Sequence, residues 1–262
     1  MFQVAQLRSI LADLRIGISF ATILPFGPPN ALDDSGVTRA SWSLPIAGLL
    51  VGLVGSTVYT IAYALGLTPG PAAMLALAST VIVTGALHED GLADTADGLG
   101  GGRTRERKLD IMRDSRIGTY GACALIISLA LRWSALAAIA APRSVMIALL
   151  LAHAAARAGA PTFMAFVPPA RPDGLSARAG QPAPQNAAIA LGLGTLVLAL
   201  GFGPGKAILA MALLALIGLM MARLAIKQIG GQTGDILGAF EQLAETAILL
   251  MAASLLHSSL QL

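Results

Sequence analysis

Residues 44–66 read LPIAGLLVGLVGSTVYTIAYALG, a run of 23 residues without a charged side chain. Wound as an α-helix, such a run is about 35 Å long, enough to cross the hydrocarbon core of a bilayer. Further apolar runs lie at 71–87, 119–140, 145–166, 187–203, 207–222 and 246–260, which predicts about seven transmembrane helices. The runs are continuous in Leu, Ala, Ile and Val, without the ten-residue alternation of an outer-membrane barrel. The whole chain of 262 residues is 56% hydrophobic and only 12% charged. A soluble domain carries about twice that charged fraction. The composition therefore excludes a soluble enzyme, a disordered chain and an ordinary basic nucleic-acid binder, and no nucleic acid is expected as a partner. The expected fold is an all-α polytopic membrane protein, with residues 1–262 forming a single integral-membrane catalytic domain. Cys123 is the one cysteine and cannot form an internal disulfide.

Outside the spans, charge sorts by side. With the N-terminus in the cytoplasm, 13 Lys and Arg residues fall on the cytoplasmic side, and only Arg143 and Lys206 fall opposite. This is a strong positive-inside signal. The carboxylates also lie on the basic side or at helix ends facing it, so chemistry is expected at the cytoplasmic face. Residues 1–26 are not read as a signal peptide, because Asp13 and Arg15 interrupt the apolar stretch. Val4, Leu7, Leu11, Leu14 and Ile18 form one apolar stripe. They predict an amphipathic interfacial helix on the membrane surface, or one packed on the rest of the protein. Gly48, Gly52 and Gly55 share one face of the first span and predict close helix packing.

The chemistry concentrates in residues 88–118, expected as a cytoplasmic catalytic segment. It opens His88-Glu89-Asp90-Gly91-Leu92-Ala93-Asp94-Thr95-Ala96-Asp97-Gly98. On a helix Asp90, Asp94 and Asp97 share one face, with Glu89 beside them. Like charges at the end of an apolar span repel, and such a stripe persists where a cation binds it. Hard oxygen ligands suggest Mg²⁺ or Mn²⁺, bound together with phosphates. A glycine joint, Gly100-Gly101-Gly102, leads to the basic patch Arg103-Thr104-Arg105-Glu106-Arg107-Lys108. For Arg105 and Lys108, phosphate binding and mere topology are equally open. Asp110 and Asp114 then repeat the four-residue acidic spacing. Asp235, Glu241 and Glu245 form a second acidic motif within 225–245, predicted to face the first across the site. Gly231 and Gly234 would let backbone N–H groups approach substrate. Arg132 and Arg157 lie inside spans, where an unpaired charge costs several kcal/mol. Snorkelling or a broken span is expected for Arg132. His153 is expected as a packing residue, and His88 in a secondary role.

Glu89-Asp90-Gly91-Leu92-Ala93-Asp94-Thr95-Ala96-Asp97-Gly98 and Ile111-Met112-Arg113-Asp114-Ser115-Arg116-Ile117-Gly118-Thr119-Tyr120-Gly121 together resemble the signature of the cobalamin synthase (adenosylcobinamide-GDP ribazoletransferase) family. Phe20-Ala21-Thr22-Ile23-Leu24-Pro25, Ala170-Arg171-Pro172-Asp173-Gly174-Leu175 and Gly230-Gly231-Gln232-Thr233-Gly234-Asp235 are similar to further family segments, although Gln232 stands where an aromatic residue is more usual. The resemblance implies a multi-pass protein of the bacterial inner (cell) membrane that needs Mg²⁺. It implies joining of adenosylcobinamide-GDP to α-ribazole or its 5′-phosphate, with release of GMP. The partners implied are those small molecules and membrane lipid; the oligomeric state stays open.

On this basis Asp90, Asp94 and Asp97 are expected to hold the metal, with Glu89 or Asp114 completing the set or acting as base. Arg113 and Arg116 are expected to grip phosphate, with Arg105, Gly118 and Arg157 as further substrate contacts. Glu241 is expected to act in catalysis, and Asp235 and Glu245 to bind substrate or a second metal. The runner-up is a CDP-alcohol phosphotransferase-like enzyme. Asp94-x-x-Asp97-Gly98 matches only the opening of that pattern, since no Ala-Arg follows. A cation transporter fits less well, because the acids gather at one face and no internal repeat is visible.

Overall fold

The computed structural model describes residues 2–26 and 34–257. In chain order the helices are α1 (Phe2–Ala21), α2 (Asp34–Ala40), a 3₁₀ turn (Ser41–Ser43), α3 (Leu44–Ala64), α4 (Pro69–Val83), α5 (Leu87–Gly101) and α6 (Arg105–Ile111). They continue with α7 (Thr119–Ile139), α8 (Pro142–Phe166), α9 (Leu175–Ala179), α10 (Pro184–Phe202), α11 (Pro204–Ile229) and α12 (Gly234–His257). Six helical segments are long and apolar enough to cross a membrane, and α4 with α5 makes a seventh if that bent pair is one span. The protein is thus an all-α, multi-pass membrane protein. Prolines sit in the first turn of α3, α4, α8, α10 and α11, where a missing N–H is tolerated.

Two helices are central. In α8, 72% of the apolar window is buried, and in α12 67%, against 22% in α11 and 28% in α7 and α10. The glycine stripe of α3 lies on α8. A Cβ at Gly48 would stand 2.3 Å from the His153 carbonyl oxygen, and one at Gly52 2.8 Å from that of Leu149. Only a missing side chain allows that backbone approach, and dispersion between the closely apposed helices then favours the pairing.

Two spans depart most from their sequence boundaries, and α11 runs on to Ile229, past the expected end at 222. The run at 71–87 is not one helix: α4 stops at Val83, and α5 sets off at 88° to it. The break is backbone chemistry, with Gly85 at φ +63° and Ala86 at φ +55°. Positive φ suits glycine and strains alanine. The first acidic motif is consequently a helix packed between α7 and α12. The last span begins at Gly234, not 246, so the second acidic motif is its opening turns.

The N-terminal helix docks by its polar edge. The buried Asp13 accepts from Arg39 Nε at 2.9 Å and Trp42 Nε1 at 3.1 Å. Leu7 and Leu11 of the apolar stripe remain 57% and 47% exposed, as an interfacial helix requires.

Gly48→Ala should destabilise the protein by about 1–3 kcal/mol, the usual effect of overpacking. Gly192 has nothing within 4 Å of its would-be Cβ. Gly192→Ala should therefore be neutral or stabilising by up to about 1 kcal/mol. Thermal unfolding in detergent checks both; equal midpoints for the two variants would remove the close α3–α8 contact as a determinant of stability.

Candidate active site

The first carboxylate group is built where α5 crosses α12. A Cβ at Gly91 would stand 2.9 Å from the Asp235 carbonyl oxygen and 3.2 Å from Gly238 Cα. Two facing glycines thus bring the backbones together and set the α5 acids beside the start of α12. Asp90 is exposed, and Asp94 and Asp235 are half-buried. Asp94 feels the like charges of Asp90, Asp235 and Asp97. Thr233 Oγ1 donates to Asp235 Oδ2 at 3.1 Å and accepts from the Ile236 N–H, capping α12. The loop after α8 lies alongside. Ala170 N–H donates to Gln232 O and Gln232 N–H to Pro168 O, both at 2.8 Å. Gly231 is required there, because its Cβ would meet Pro168 O at 2.1 Å. This pairing carries Arg171 to within 3.9 Å of Asp235.

Behind this group lies a buried ion network. Arg132 on α7 donates to Glu89 of α5 at 3.1 Å and to Glu245 of α12 at 3.2 Å. Arg157 on α8 donates to Glu245 at 2.9 Å and stands 2.8 Å from Glu241. His153 Nδ1 lies 2.6 Å from Glu245, and His88 Nε2 2.7 Å from Glu241. Arg132 and Arg157 are 1% and 2% exposed, so neither snorkels. Three carboxylates and two guanidiniums therefore pair with one another across four helices, with two imidazoles in contact with the carboxylates. Charges at this burial persist only when paired in this way.

These placements divide the residues singled out in the sequence. Asp90, Asp94 and Asp235 form the accessible carboxylate group. Asp97 turns to the N-terminus of α7, accepting from Gly118 N–H at 2.7 Å and Gly121 N–H at 2.9 Å. It caps a helix, and Gly118 is its donor. Glu89, Glu241 and Glu245 belong to the buried network, as does Arg157, whose guanidinium is committed to glutamates. Arg105 donates to Ile229 O and Ala170 O, both at 2.7 Å, clamping the end of α11 to the α8–α9 loop. Lys108 bonds Gln228, and Arg113 pairs with Asp173 of the same loop. Arg116 pairs with Asp114, and its side-chain and backbone hydrogen bonds hold that carboxyl down to about 2. A carboxylate so weakly basic, and directed at its own neighbour, is a poor general base. Gly231 serves chain packing, whereas Gly234 faces open space.

Among the described residues, no three His, Cys, Asp or Glu side chains are gathered as a preformed metal cage. The sequence carried one signal for the buried network: Arg132 and Arg157 lie inside apolar spans and Glu245 at the mouth of one, where charge demands a partner. It gave little for Arg171, one more arginine in a polar loop.

A bundle of membrane-length helices with accessible acids at one end, where α8 and α11 finish and α12 starts, defines an integral-membrane protein with a polar site at its rim. A family model described as cobalamin-5-phosphate synthase matches residues 13–253. The chain belongs to this family and is an enzyme of it. It is 67% identical over 248 residues to the adenosylcobinamide-GDP ribazoletransferase of Bradyrhizobium diazoefficiens, covering 95% of each chain. Its identity to the protein of that name from Mesorhizobium japonicum is 50% over 251 residues, 96% of each chain. To that of Azorhizobium caulinodans it is 45%, over 92% of this chain and 95% of the relative. No solved structure matches the chain.

Network and rim should separate under mutation. Glu245→Ala leaves two buried guanidinium contacts unpaired and should cost about 3–5 kcal/mol of stability, read as a lowered unfolding midpoint in detergent. Asp90→Asn, at an exposed position, should leave the midpoint unchanged while abolishing turnover. A stable Glu245→Ala protein would show that the network does not hold the bundle together.

Proposed function

We propose that this protein joins adenosylcobinamide-GDP to α-ribazole or its 5′-phosphate, releasing GMP and forming adenosylcobalamin or its 5′-phosphate. The reaction takes place at the cytoplasmic face of the bacterial inner membrane and depends on Mg²⁺. The observation that carries this reading is the convergence of Asp90, Asp94 and Asp235 at the rim of a membrane bundle, within a chain so similar to proteins of that name.

The donor set suits Mg²⁺. This ion keeps several waters and is held by one or two carboxylates plus substrate phosphates, so a three-residue cage is not needed. Asp90 and Asp94, one turn apart on α5, would hold it. When bound, it neutralises charge on the diphosphate and on the departing GMP.

The remaining steps belong to the chain. A ribazole hydroxyl attacks the cobinamide-side phosphorus in line. The new P–O bond forms as the bridging P–O bond breaks, and GMP leaves with that electron pair. Asp235, oriented by Thr233, takes the hydroxyl proton. Glu89, Glu241 and Glu245 are held in ion pairs and act by positioning: Glu89 fixes the helix turn that carries Asp90, and the other two fix the helix that carries Asp235.

Purified protein in detergent, given both substrates and Mg²⁺, should release GMP in step with adenosylcobalamin, and chelation should stop it. Asp94→Asn should lose at least about 10³-fold in kcat, since metal-site losses of several kcal/mol are ordinary in phosphoryl transfer. Near-normal turnover by that variant at saturating Mg²⁺ would sink the metal assignment; no GMP from the wild type would sink the reaction.

Sidedness has its own check. On a Cys123→Ser background, Thr104→Cys should react with an impermeant thiol reagent from the cytoplasmic side. Labelling only from the periplasm would invert the topology.

A further inference from the structure

Arg171 is a cation with almost nothing to do. Its Nε and Nη1 are buried and have no hydrogen-bond partner among the described residues. Its Nη2 lies 3.9 Å from Asp235 Oδ2, beyond hydrogen-bonding distance. The side chain is only 17% exposed. Buried guanidinium donors left unbonded are costly, and in a native protein they call for an explanation.

The loop that holds Arg171 is fixed from three directions. Backbone pairing with residue 232 fixes Pro168 and Ala170. Arg105 clamps the Ala170 carbonyl, and Arg113 pairs with Asp173. The nearby basic residues therefore spend their charge on securing this loop, while the arginine inside it stays unspent. It stands beside Asp235, one of the accessible acids.

We propose that Arg171 binds a phosphate group of the substrate diphosphate, closing the site on the Asp235 side. The inference rests on the diphosphate chemistry proposed above. An anion drawn between the α5 carboxylates with their cation and this guanidinium would be gripped from both sides. A planar guanidinium presents paired N–H donors that match two phosphate oxygens, which an ammonium cannot reproduce. Without ligand, the same charge offsets part of the repulsion on Asp235.

The test is equilibrium binding of inorganic pyrophosphate and of GMP to the full-length protein in detergent, with Mg²⁺ present. Arg171→Gln should weaken pyrophosphate binding by roughly 10- to 100-fold, the scale of a charge-assisted contact. Arg171→Lys, which keeps the charge but loses the fork, should fall between, and the unfolding midpoint of this variant should match wild type. If Arg171→Gln does not fold, Arg171→Lys decides alone: a several-fold loss supports the contact, and unchanged affinity overturns it. Wild-type affinity in Arg171→Gln overturns it equally. If the wild-type protein binds neither probe, the diphosphate reading fails, and this inference with it.

Discussion

Arg132 and Arg157 carry permanent charge into helices that otherwise suit a bilayer, and both are almost wholly shut away from solvent. Such charges are tolerated only when neutralised at close range, since removing one partner from a buried pair costs about 3–5 kcal/mol. Glu89, Glu241 and Glu245 meet that demand, but they come from two separate helices. The arginines therefore dictate where α5 and α12 stand relative to α7 and α8. The glycine faces at Gly48, Gly52 and Gly91 set how closely the helices approach, and the ion pairs add a directional constraint between named side chains.

The accessible acids inherit their geometry from this constraint. Asp90 follows Glu89 directly, and Asp235 begins the helix that carries Glu241 and Glu245. Anchoring the glutamates anchors the aspartates within about a turn or two. The glycines at 91 and 238 then let the two helices touch where the acids meet. Charge pairing inside thus sets up charge crowding outside, and the crowded group is the one that proposes itself for metal and phosphate.

Much of this was legible in the residues. The apolar runs marked the helices, the glycine stripe marked a close-packed face without naming its partner α8, and both acidic motifs stood out as candidates. The break after Val83 was hidden because Thr84, Gly85 and Ala86 continue an apolar stretch, and only local backbone angles reveal the turn. The division of labour among the acids was hidden for another reason. Helical spacing puts Asp90, Asp94 and Asp97 on one face, but it does not say that α7 begins opposite Asp97 and needs a cap. The same holds for the basic patch. Arg105, Arg113 and Lys108 look like phosphate ligands until the loops they secure come into place. Arg157 and Glu245 were each conspicuous, yet their pairing spans 88 positions and needs the tertiary fold.

The ion network also has a history within each molecule's synthesis. Glu89 and Arg132 are separated by 43 residues, whereas Arg132 and Glu245 are separated by 113. A chain made from its N-terminus delivers α5 and α7 close together, so their opposite charges can meet early. Arg157 must wait in α8 until the final described helix brings Glu241 and Glu245. Until then an arginine sits among apolar helices without its carboxylates, and the insertion machinery or water has to shelter it. Arrival of α12 is in that sense a locking event, because the helix that supplies Glu241 and Glu245 to the buried arginines also carries Asp235.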